Sequence, residues 1–276
     1  MDMIHQIIAL ALFEDSGLGD ITSESILPGH RKGHGVIVAK QDCILAGTDA
    51  ARRTFKMLDP ETTLRFFFQD GDTVSSGEDV LTVEGDLLCL LKAERVALNF
   101  MQRLSGIATL TRKYVTALAG ASVRLTDTRK TTPGWRQLEK EAVRAGGGHN
   151  HRFSLYDGIL IKDNHIAVAG SIFAAVQAVK NRTSHLMKIE VEVSTMDQVD
   201  QALAAGADVI MLDNMSMEEM AAAVARIHGQ ALVEASGNVS IETLRDIADT
   251  GVDVISCGAL THQARSVDLS MRIFDK

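Results

Sequence analysis

The chain has 276 residues, carries a formal net charge of −8 at pH 7, and is 46% hydrophobic. A polypeptide this apolar is not disordered, and its acidic balance and aromatic content of only 4% argue against nonspecific nucleic-acid binding. The length suits one α/β-barrel domain or two smaller domains.

The amino-terminal region and the cysteines indicate a compartment. The longest apolar run near the amino terminus, residues 7–13, is too short to span a membrane and lacks a signal-peptide cleavage site after it. Cys43, Cys89 and Cys257 are odd in number, widely spaced and outside any CxxC pair, which is typical of reduced structural thiols. We therefore expect a soluble cytoplasmic protein with no membrane or nucleic-acid partner.

Residues 1–104 mix helical and β periodicity. An amphipathic pattern from Ile4 to Ala11 predicts a first helix, residues 35–39 and 64–68 are typical of strands, and residues 70–72 form a turn. A second helical pattern runs from Leu87 to Leu104, and Gly106 is expected to end it. This segment is predicted to be a small α+β domain.

The second half alternates short β-branched runs with Ala-rich helical segments, which predicts βα units and a parallel sheet. The runs are residues 123–125, 159–161, 187–193, 209–212, 232–233 and 252–255. A polar residue stands at the end of each run: Asp127, Lys162, Glu192, Asp213, Glu234 and Ser256. Polar groups at the carboxyl ends of strands favour a (β/α) barrel. An open doubly wound sheet is the alternative, but no Gly-rich dinucleotide motif follows the first strand.

Acidic and basic residues are unevenly distributed along this half. Residues 128–162 hold seven basic and three acidic side chains, whereas residues 190–260 hold thirteen acidic and two basic ones. Many of these acids belong to solvated helix faces. The basic segment still indicates a pocket for a small polyanion, and the opposed carboxylates indicate a divalent cation or sugar hydroxyls.

Three basic motifs in this half carry candidate chemistry. Arg129 and Lys130 follow a strand and can grip a carboxylate or phosphate, although a solvated loop is equally consistent. The glycines at 146–148 permit close approach to a ligand, and residues 149–152 (HNHR) supply donors, with a plain flexible loop as the alternative. Lys162 directly follows a buried strand, so it is a Schiff-base nucleophile, an anion ligand, or a surface partner of Asp163.

The acidic strands offer a second set of candidates. Glu190 and Glu192 alternate along one strand and share a face, and carboxylates inside a barrel need Lys, Arg or a metal. Asp213 is either a site carboxylate or the N-cap of the next helix. The loops Ser236-Gly237-Asn238 and Gly258 to His262 follow the last two strands, where barrels commonly hold phosphate, although ordinary turns are the alternative. Together they suggest a phosphorylated sugar substrate.

These residues resemble the motifs of the quinolinate phosphoribosyltransferase family, also called nicotinate-nucleotide pyrophosphorylase (carboxylating). The matching segments are ERVALN (94–99), SGIAT (105–109), DTRKT (127–131), GGG with NHR (146–148 and 150–152), LIKDNH (160–165) and GALTH (258–262). The resemblance spans nearly the whole chain. One departure is Asn238, because the family usually has a second glycine after Gly237; Asn tolerates a left-handed backbone.

The resemblance implies an α/β fold of two domains. An N-terminal α/β sandwich, residues 1–104, is joined by the last helix of the chain, about 265–276, and residues 105–264 form an incomplete TIM-like (β/α) barrel. It further implies a homodimer whose active sites are shared. The reaction would join quinolinate and phosphoribosyl pyrophosphate to give nicotinate mononucleotide, pyrophosphate and CO2, with Mg²⁺, in NAD biosynthesis. A ModD-like paralogue associated with molybdenum transport, acting on another substrate or only binding, is the alternative.

The resemblance also suggests roles for individual residues. The carboxylates of quinolinate would be held by Arg129, His151, Arg152, Lys162 and the partner subunit's Arg95. Glu192 and Asp213 would bind Mg²⁺ and the ribose hydroxyls, with Lys130 on the pyrophosphate. The 5′-phosphate would lie on Ser236, Gly237, Asn238, Gly258 and His262. No evident nucleophilic triad stands at the strand ends, so we expect direct displacement. A class I aldolase using Lys162 is the competing enzyme.

Overall fold

The computed structural model describes residues 2–27 and 29–275. The first half contains α1 (Met3–Ser16), α2 (Ile21–Ile26), β1 (Lys32–Ala39), β2 (Cys43–Ile44), α3 (Thr48–Leu58), β3 (Thr63–Phe66), β4 (Thr73–Val74), β5 (Asp79–Asp86) and α4 (Leu87–Ala117). The second half contains β6 (Arg124–Thr126), α5 (Arg136–Ala145), β7 (Ile159–Ile161), α6 (Asp163–Ala169), α7 (Ile172–Lys180), β8 (Ile189–Val193), α8 (Met196–Ala205), β9 (Val209–Asp213), α9 (Met217–Ile227), β10 (Leu232–Ser236), α10 (Leu244–Asp249), β11 (Val254–Ser256), α11 (Ala259–His262) and β12 (Leu269–Asp275).

One compact unit combines residues 1–112, 131–147 and 260–276. Its four-stranded antiparallel sheet has the order β12-β1-β5-β3. Helices α3 and α4 contribute buried Phe55, Leu90 and Met101 to a core that also takes Ile37 and Leu81 from the sheet. Alternating strand residues place one apolar face on these helices, which is how a half-exposed antiparallel sheet becomes stable. The predicted α+β domain is therefore present.

The predicted helix at the carboxyl terminus is wrong, because this segment forms β12. The strand pairs antiparallel with β1, from Ala39 opposite Leu269 to Gly33 opposite Asp275. Leu269 lies in the core, and Met271 and Ile273 pack against it. These side chains recur every second residue, which is the period of a strand and not of a helix. The segment does join the amino-terminal unit, as an edge strand.

The predicted helix break at Gly106 is also wrong, since α4 continues without interruption from Leu87 to Ala117. A Cβ on Gly106 would lie 2.1 Å from the backbone oxygen of Arg265. The glycine therefore permits close packing of another segment against the helix and does not end it. Helix α5 also groups with this unit, so the predicted boundary at 104/105 does not coincide with the structural division.

Substituting Gly106 with alanine should destabilise this unit. The added methyl meets a backbone carbonyl, which cannot move aside as a flexible side chain can, so we expect a loss of roughly 1–3 kcal/mol in the free energy of unfolding. Urea denaturation of the variant measures it. Asn99, which is exposed on the same helix, is the matched control, and Asn99→Ala should change stability by less than about 0.5 kcal/mol. Equal effects at the two positions would contradict the packing role.

The second compact unit, residues 113–130 and 148–259, contains the predicted barrel. Six parallel strands have the order β6-β11-β10-β9-β8-β7. Within the described residues β6 and β7 are edges that do not pair with each other, so the barrel is incomplete, as expected. Most of the connections contain helices, which is typical of parallel sheets.

The described helices include none with the length and hydropathy needed to cross a bilayer.

Candidate active site

The carboxyl ends of the six parallel strands lie at one edge of the sheet, and the predicted site residues of the barrel unit lie there. Asp127 and Lys162 directly follow β6 and β7, and Asp213 and Ser236 are the last residues of β9 and β10. The strand register places Glu192 beside Met211, and Ser236 beside Asp213. Residues in register share a face of a parallel sheet, so these polar side chains share one face.

Lys162 forms an ion pair with Glu192 on the neighbouring strand. The alternative surface pair with Asp163 is wrong, because the Asp163 carboxylate accepts the backbone N–H of Asn164. An ammonium group held by a carboxylate is not the free amine that a Schiff-base nucleophile requires. The contact therefore favours an anion-binding lysine over the aldolase hypothesis.

Asp127 braces the HNHR loop. Its side chain is fully buried, with Oδ1 accepting the backbone N–H of His151 at 2.9 Å and Oδ2 accepting Nδ2 of Asn150 at 2.6 Å. The backbone of His149 also bonds to β6, because its N–H donates to the Leu125 carbonyl. This role was missed at the sequence level, although a buried strand-end acid followed by an amide-rich loop could have indicated it.

Arg152 is a partly buried cation beside a second cation. Its Nη1 donates to the Gly158 carbonyl at 2.8 Å, which directs the guanidinium group. Burial and then the nearby Arg129 charge lower the pKa of Arg152 from its usual value. Two guanidinium groups that repel each other gain stability when an anion binds between them. This arrangement indicates an anion pocket, as the basic segment predicted.

His151 is surrounded by two buried carboxylates. Its Nε2 lies 3.1 Å from Oε2 of Glu190 and 3.5 Å from Oε1 of Glu234. Its Nδ1 accepts the backbone N–H of Arg152 at 2.8 Å. Glu234 was recognised as a strand-end acid but not as a site residue; strand register, which the sequence does not supply, places it near Glu190.

Glu234 has an altered acidity. Burial raises its pKa to about 7, with a further increase from the Glu190 carboxylate, whereas His151 and Ser256 act in the opposite direction. Two carboxylates in one dry site do not both ionise readily.

The pKa of Glu234 predicts a pH dependence of stability. The unfolded chain loses this proton near pH 4.5 and the folded protein near pH 7, so between these values the folded state binds more protons. Stability from this group is therefore complete below pH 4.5 and is lost as the pH rises to about 7. Relative to Glu234→Gln, the wild type should lose up to roughly 1.4 kcal/mol per pH unit in this window. Urea denaturation at several pH values measures the difference, and parallel pH profiles would contradict it.

The loop after β10 is linked to the end of β9. Asn214 donates through Nδ2 to Oδ2 of Asp213 at 2.9 Å, and its Oδ1 accepts Nδ2 of Asn238 at 3.0 Å. Asn238 has φ 49°, the left-handed conformation that Asn tolerates. Asp213 is not a helix N-cap, because Ser216 caps α9. The alternative role proposed for Asp213 is therefore excluded.

The remaining predicted residues have simpler settings. Arg95 and Lys130 are exposed, on α4 and in the loop after β6 respectively. His262 is exposed at the end of α11, and Gly258 directly precedes that helix. The first glycine of the triplet serves packing, since a Cβ on Gly146 would lie 2.5 Å from the Ala108 carbonyl. Ligand approach, the role expected of the triplet, does not explain this position.

Glu192 and Asp213 fit a Mg²⁺ ion that is bound together with a substrate. Both offer hard carboxylate oxygens on one face of the sheet, and both side chains are partly exposed. Mg²⁺ typically takes one or two protein carboxylates and fills its other positions with water and phosphate. Among the described residues, the cluster with three potential metal ligands is a different one, formed by His151, Glu190 and Glu234.

An open α/β barrel that gathers arginine, lysine and carboxylate groups at the carboxyl ends of its strands is typical of an enzyme with an anionic substrate. Residues 20–105 match the model of the quinolinate phosphoribosyl transferase N-terminal domain, and residues 107–272 match that of the C-terminal domain. The chain belongs to the quinolinate phosphoribosyltransferase family.

Individual relatives are similar over nearly the whole chain. The probable nicotinate-nucleotide pyrophosphorylase (carboxylating) of Bacillus subtilis is 46% identical over 260 residues, covering 94% of this chain and 90% of the relative. The chloroplastic enzyme of that name from Arabidopsis thaliana is 41% identical, covering 98% and 82%. The crystal structure of NadC from Streptococcus pyogenes matches with a TM-score of 0.94 and 42% identity, covering 99% and 97%. A ModD-like paralogue is not favoured.

Proposed function

We propose that the protein transfers a phosphoribosyl group from phosphoribosyl pyrophosphate to quinolinate, releasing pyrophosphate and CO2 and forming nicotinate mononucleotide for NAD biosynthesis. The observation that carries the proposal is the cationic pocket, in which the Gly158 carbonyl holds the guanidinium group of Arg152 at 2.8 Å. Burial, and then the nearby charge of Arg129, lower the pKa of Arg152. Such a pocket suits a planar dicarboxylate. Membership in the quinolinate phosphoribosyltransferase family supports the same substrate.

Quinolinate is bound by fixed cations. Arg129, Arg152 and Lys162 take its two carboxylates, and the Gly158 carbonyl holds Arg152 in place before the substrate arrives. Preorganised charges act strongly in a site that excludes water, because they need no reorganisation during the reaction. Lys162 is shared between its Glu192 partner and the substrate.

The chemistry is a direct displacement. The ring nitrogen of quinolinate forms a bond to the anomeric carbon, and the bond to pyrophosphate breaks with its electron pair on the leaving oxygen. The C–C bond to the adjacent carboxylate then breaks, CO2 leaves, and the electron pair remains on the ring carbon beside the positive nitrogen until a proton adds. His151 and Lys162 are both engaged by carboxylates, which supports a mechanism without a covalent ribosyl enzyme.

The phosphoribosyl pyrophosphate lies across the ends of the neighbouring strands. Glu192 and Asp213 hold Mg²⁺ and the ribose hydroxyls, and Lys130 binds the pyrophosphate. When bound, Mg²⁺ supplies positive charge to the leaving diphosphate. The 5′-phosphate contacts the loop at Ser236 to Asn238 and the backbone at Gly258. The side-chain amides of Asn214 and Asn238 link that loop to Asp213.

A product assay tests the proposal. The purified chain is incubated with quinolinate, phosphoribosyl pyrophosphate and Mg²⁺, and nicotinate mononucleotide is measured by chromatography. We expect product that depends on both substrates and disappears in excess chelator. No product in any condition would refute the function, whereas full activity in chelator would refute only the role of Mg²⁺.

We also propose that the active form is a homodimer with shared active sites. On α1, α2 and the turn between them, Leu10, Phe13, Leu18 and Ile21 are each more than half exposed. Such a concentration of apolar side chains on a surface is typical of an interface. Arg95 is exposed on α4, where it is accessible to a second subunit. The partner subunit's Arg95 then completes the quinolinate pocket.

Hybrid dimers test the shared site. Arg95→Ala and Lys162→Ala should each be nearly inactive alone, since each removes a cation from every site. When the two variants are co-expressed with different tags, a hybrid dimer purified on both tags contains one site with both lesions and one intact site. It should show about half the wild-type activity per dimer. A stable hybrid as inactive as its parents would contradict the sharing of residues.

The compartment we propose is the cytoplasm. All three cysteines are reduced thiols, and Cys43 and Cys257 are buried. The Cys257 thiol donates to the Val239 carbonyl at 3.7 Å, which is a structural contact. Buried reduced thiols are typical of proteins from reducing compartments.

A further inference from the structure

Two buried carboxylates beneath the quinolinate pocket have no role in the proposed reaction. Glu190 is 7% exposed and Glu234 is 3% exposed, and Oε1 of each has no hydrogen-bond partner among the residues that the structure describes. Placing carboxylates in a dry interior is costly, so their presence calls for a compensating function. The groups that face them are His151 from the HNHR loop, Ser256 from β11, and the nearby charge of Arg152.

The hydrogen bonds of His151 define its tautomer. Because Nδ1 accepts the backbone N–H of Arg152 at 2.8 Å, Nδ1 carries no proton. The ring proton is therefore on Nε2, which lies 3.1 Å from Oε2 of Glu190 and donates to it. A metal ion at His151, Glu190 and Glu234 would need the lone pair of Nε2. The hydrogen bond to Nδ1 therefore argues against a metal at this cluster.

Both ring nitrogens of His151 are thus used inside the protein. On one side of the ring Nε2 donates to Glu190, and the Glu234 carboxyl lies 3.5 Å from the same nitrogen. On the other side Nδ1 accepts the backbone N–H of Arg152. The backbone N–H of His151 itself donates to buried Asp127 at 2.9 Å. The loop that carries Arg152 is consequently fixed at both the backbone and the ring, and each anchor belongs to a strand or a strand end of the barrel.

We propose that Glu190 and Glu234 are positioning residues that lock the His151 ring and, through it, the Arg152 guanidinium group in the quinolinate pocket. The proposal rests on the proposed function of that pocket. It assigns His151 to the support of Arg152, whereas the resemblance suggested direct contact with the substrate. A displacement of about 1 Å in a binding group is enough to reduce catalysis by up to roughly a hundredfold.

Steady-state kinetics on two variants of Glu190 test the proposal. Glu190→Leu removes both carboxylate oxygens, including the acceptor of the His151 ring proton, at similar volume, whereas Glu190→Gln retains one acceptor. The Leu variant should raise KM for quinolinate by roughly tenfold or more, with KM for phosphoribosyl pyrophosphate changed by less than about threefold. The Gln variant should stay within about threefold of wild type for both substrates. Val191→Ala is the matched control, because Val191 is fully buried on the same strand as Glu190 and points to the opposite face.

The outcomes separate positioning from general destabilisation. The Val191→Ala control should lower the melting temperature without changing either KM. Unchanged KM for quinolinate in Glu190→Leu, equal changes in KM for both substrates, or equal changes in the Gln and Leu variants would overturn the proposal.

A spectroscopic measurement keeps the proposal testable if Glu190→Leu does not fold. In wild-type protein labelled with ¹⁵N-histidine, we expect a neutral ring protonated at Nε2 whose signals vanish in His151→Gln. A His151 ring protonated at Nδ1 would overturn the proposal, as would one equivalent of tightly bound metal that Glu234→Gln loses. The tautomer is measured without substrate, so this test of the positioning role is independent of whether the protein has the proposed enzymatic function.

Discussion

Lys162→Ala should lower kcat/KM for quinolinate by roughly a hundredfold to a thousandfold. The substitution removes one of the fixed cations that bind the dicarboxylate. It also leaves the Glu192 carboxylate without its lysine partner at the same sheet edge, where it repels the anionic substrates. The substitution should therefore weaken the binding of both substrates, and the effect should be larger for quinolinate. Initial rates at varied quinolinate and saturating phosphoribosyl pyrophosphate measure it.

A lysine at the other end of the sheet provides the control. Lys188 directly precedes β8 and is exposed at the amino end of the strands, so Lys188→Ala removes the same charge from the same unit. It should leave kcat/KM within about twofold of wild type, because exposed charges contribute little to a distant site. If Lys162→Ala behaves like Lys188→Ala, the quinolinate pocket is not at Lys162.

Nicotinate should be a very poor substrate, with kcat/KM lower than that of quinolinate by roughly 10⁴-fold. Nicotinate lacks the carboxylate beside the ring nitrogen. The neighbouring guanidinium groups of Arg129 and Arg152 would lose one of the two anionic groups that they bind in quinolinate. Without that carboxylate the reaction also has no CO2 to release. Parallel assays of the two acids, each with phosphoribosyl pyrophosphate, measure the ratio.

The comparison of the two acids also tests which residues discriminate. Nicotinate should be used no better by Arg152→Ala than by wild type, while the activity with quinolinate falls, so the ratio between the acids narrows. Comparable kcat/KM values for the two acids in wild type would contradict both the pocket and the displacement mechanism.

The strand ends of the barrel could be predicted because their chemistry is local. A short apolar run followed by Asp127, Lys162 or Asp213 is visible in one segment of sequence, and parallel strands bring such positions to one edge without further information. The resemblance to the family motifs then suggested quinolinate as the substrate. The ion pair between Lys162 and Glu192 needed only the added knowledge that their strands are neighbours.

One of the two incorrect predictions concerns a residue whose partner is distant in sequence, and the other concerns a local pattern. Gly106 has the composition of a helix break, yet its partner is the backbone at Arg265, which no local pattern indicates. The strand β12 was predicted as a helix because the family resemblance was applied in place of the alternation at Leu269, Met271 and Ile273. That alternation was present in the sequence and matches the packing of the strand.

The contacts of His151 show a third reason why the sequence alone could not predict the site. Glu190 and Glu234 are 44 residues apart in the numbering of the chain, and three parallel strands bring them to one histidine. The alternation in the sequence predicted which face of the sheet Glu190 lies on. It did not predict that Glu234, on the far side of β9, lies close to it. The tautomer of His151 depends on a hydrogen bond from the backbone N–H of the next residue. That hydrogen bond is set by the local backbone conformation and not by the residue type, so the sequence does not indicate it.

The most direct test of the proposed reaction is a measurement of its stoichiometry. Quinolinate carrying ¹⁴C in the carboxylate beside the ring nitrogen is mixed with excess enzyme and phosphoribosyl pyrophosphate, and the reaction is quenched at intervals. We expect one CO2 and one pyrophosphate for each nicotinate mononucleotide, with no pyrophosphate released when quinolinate is omitted. Stoichiometric pyrophosphate without quinolinate, together with a ribosylated enzyme, or label retained in the nucleotide product, would contradict it.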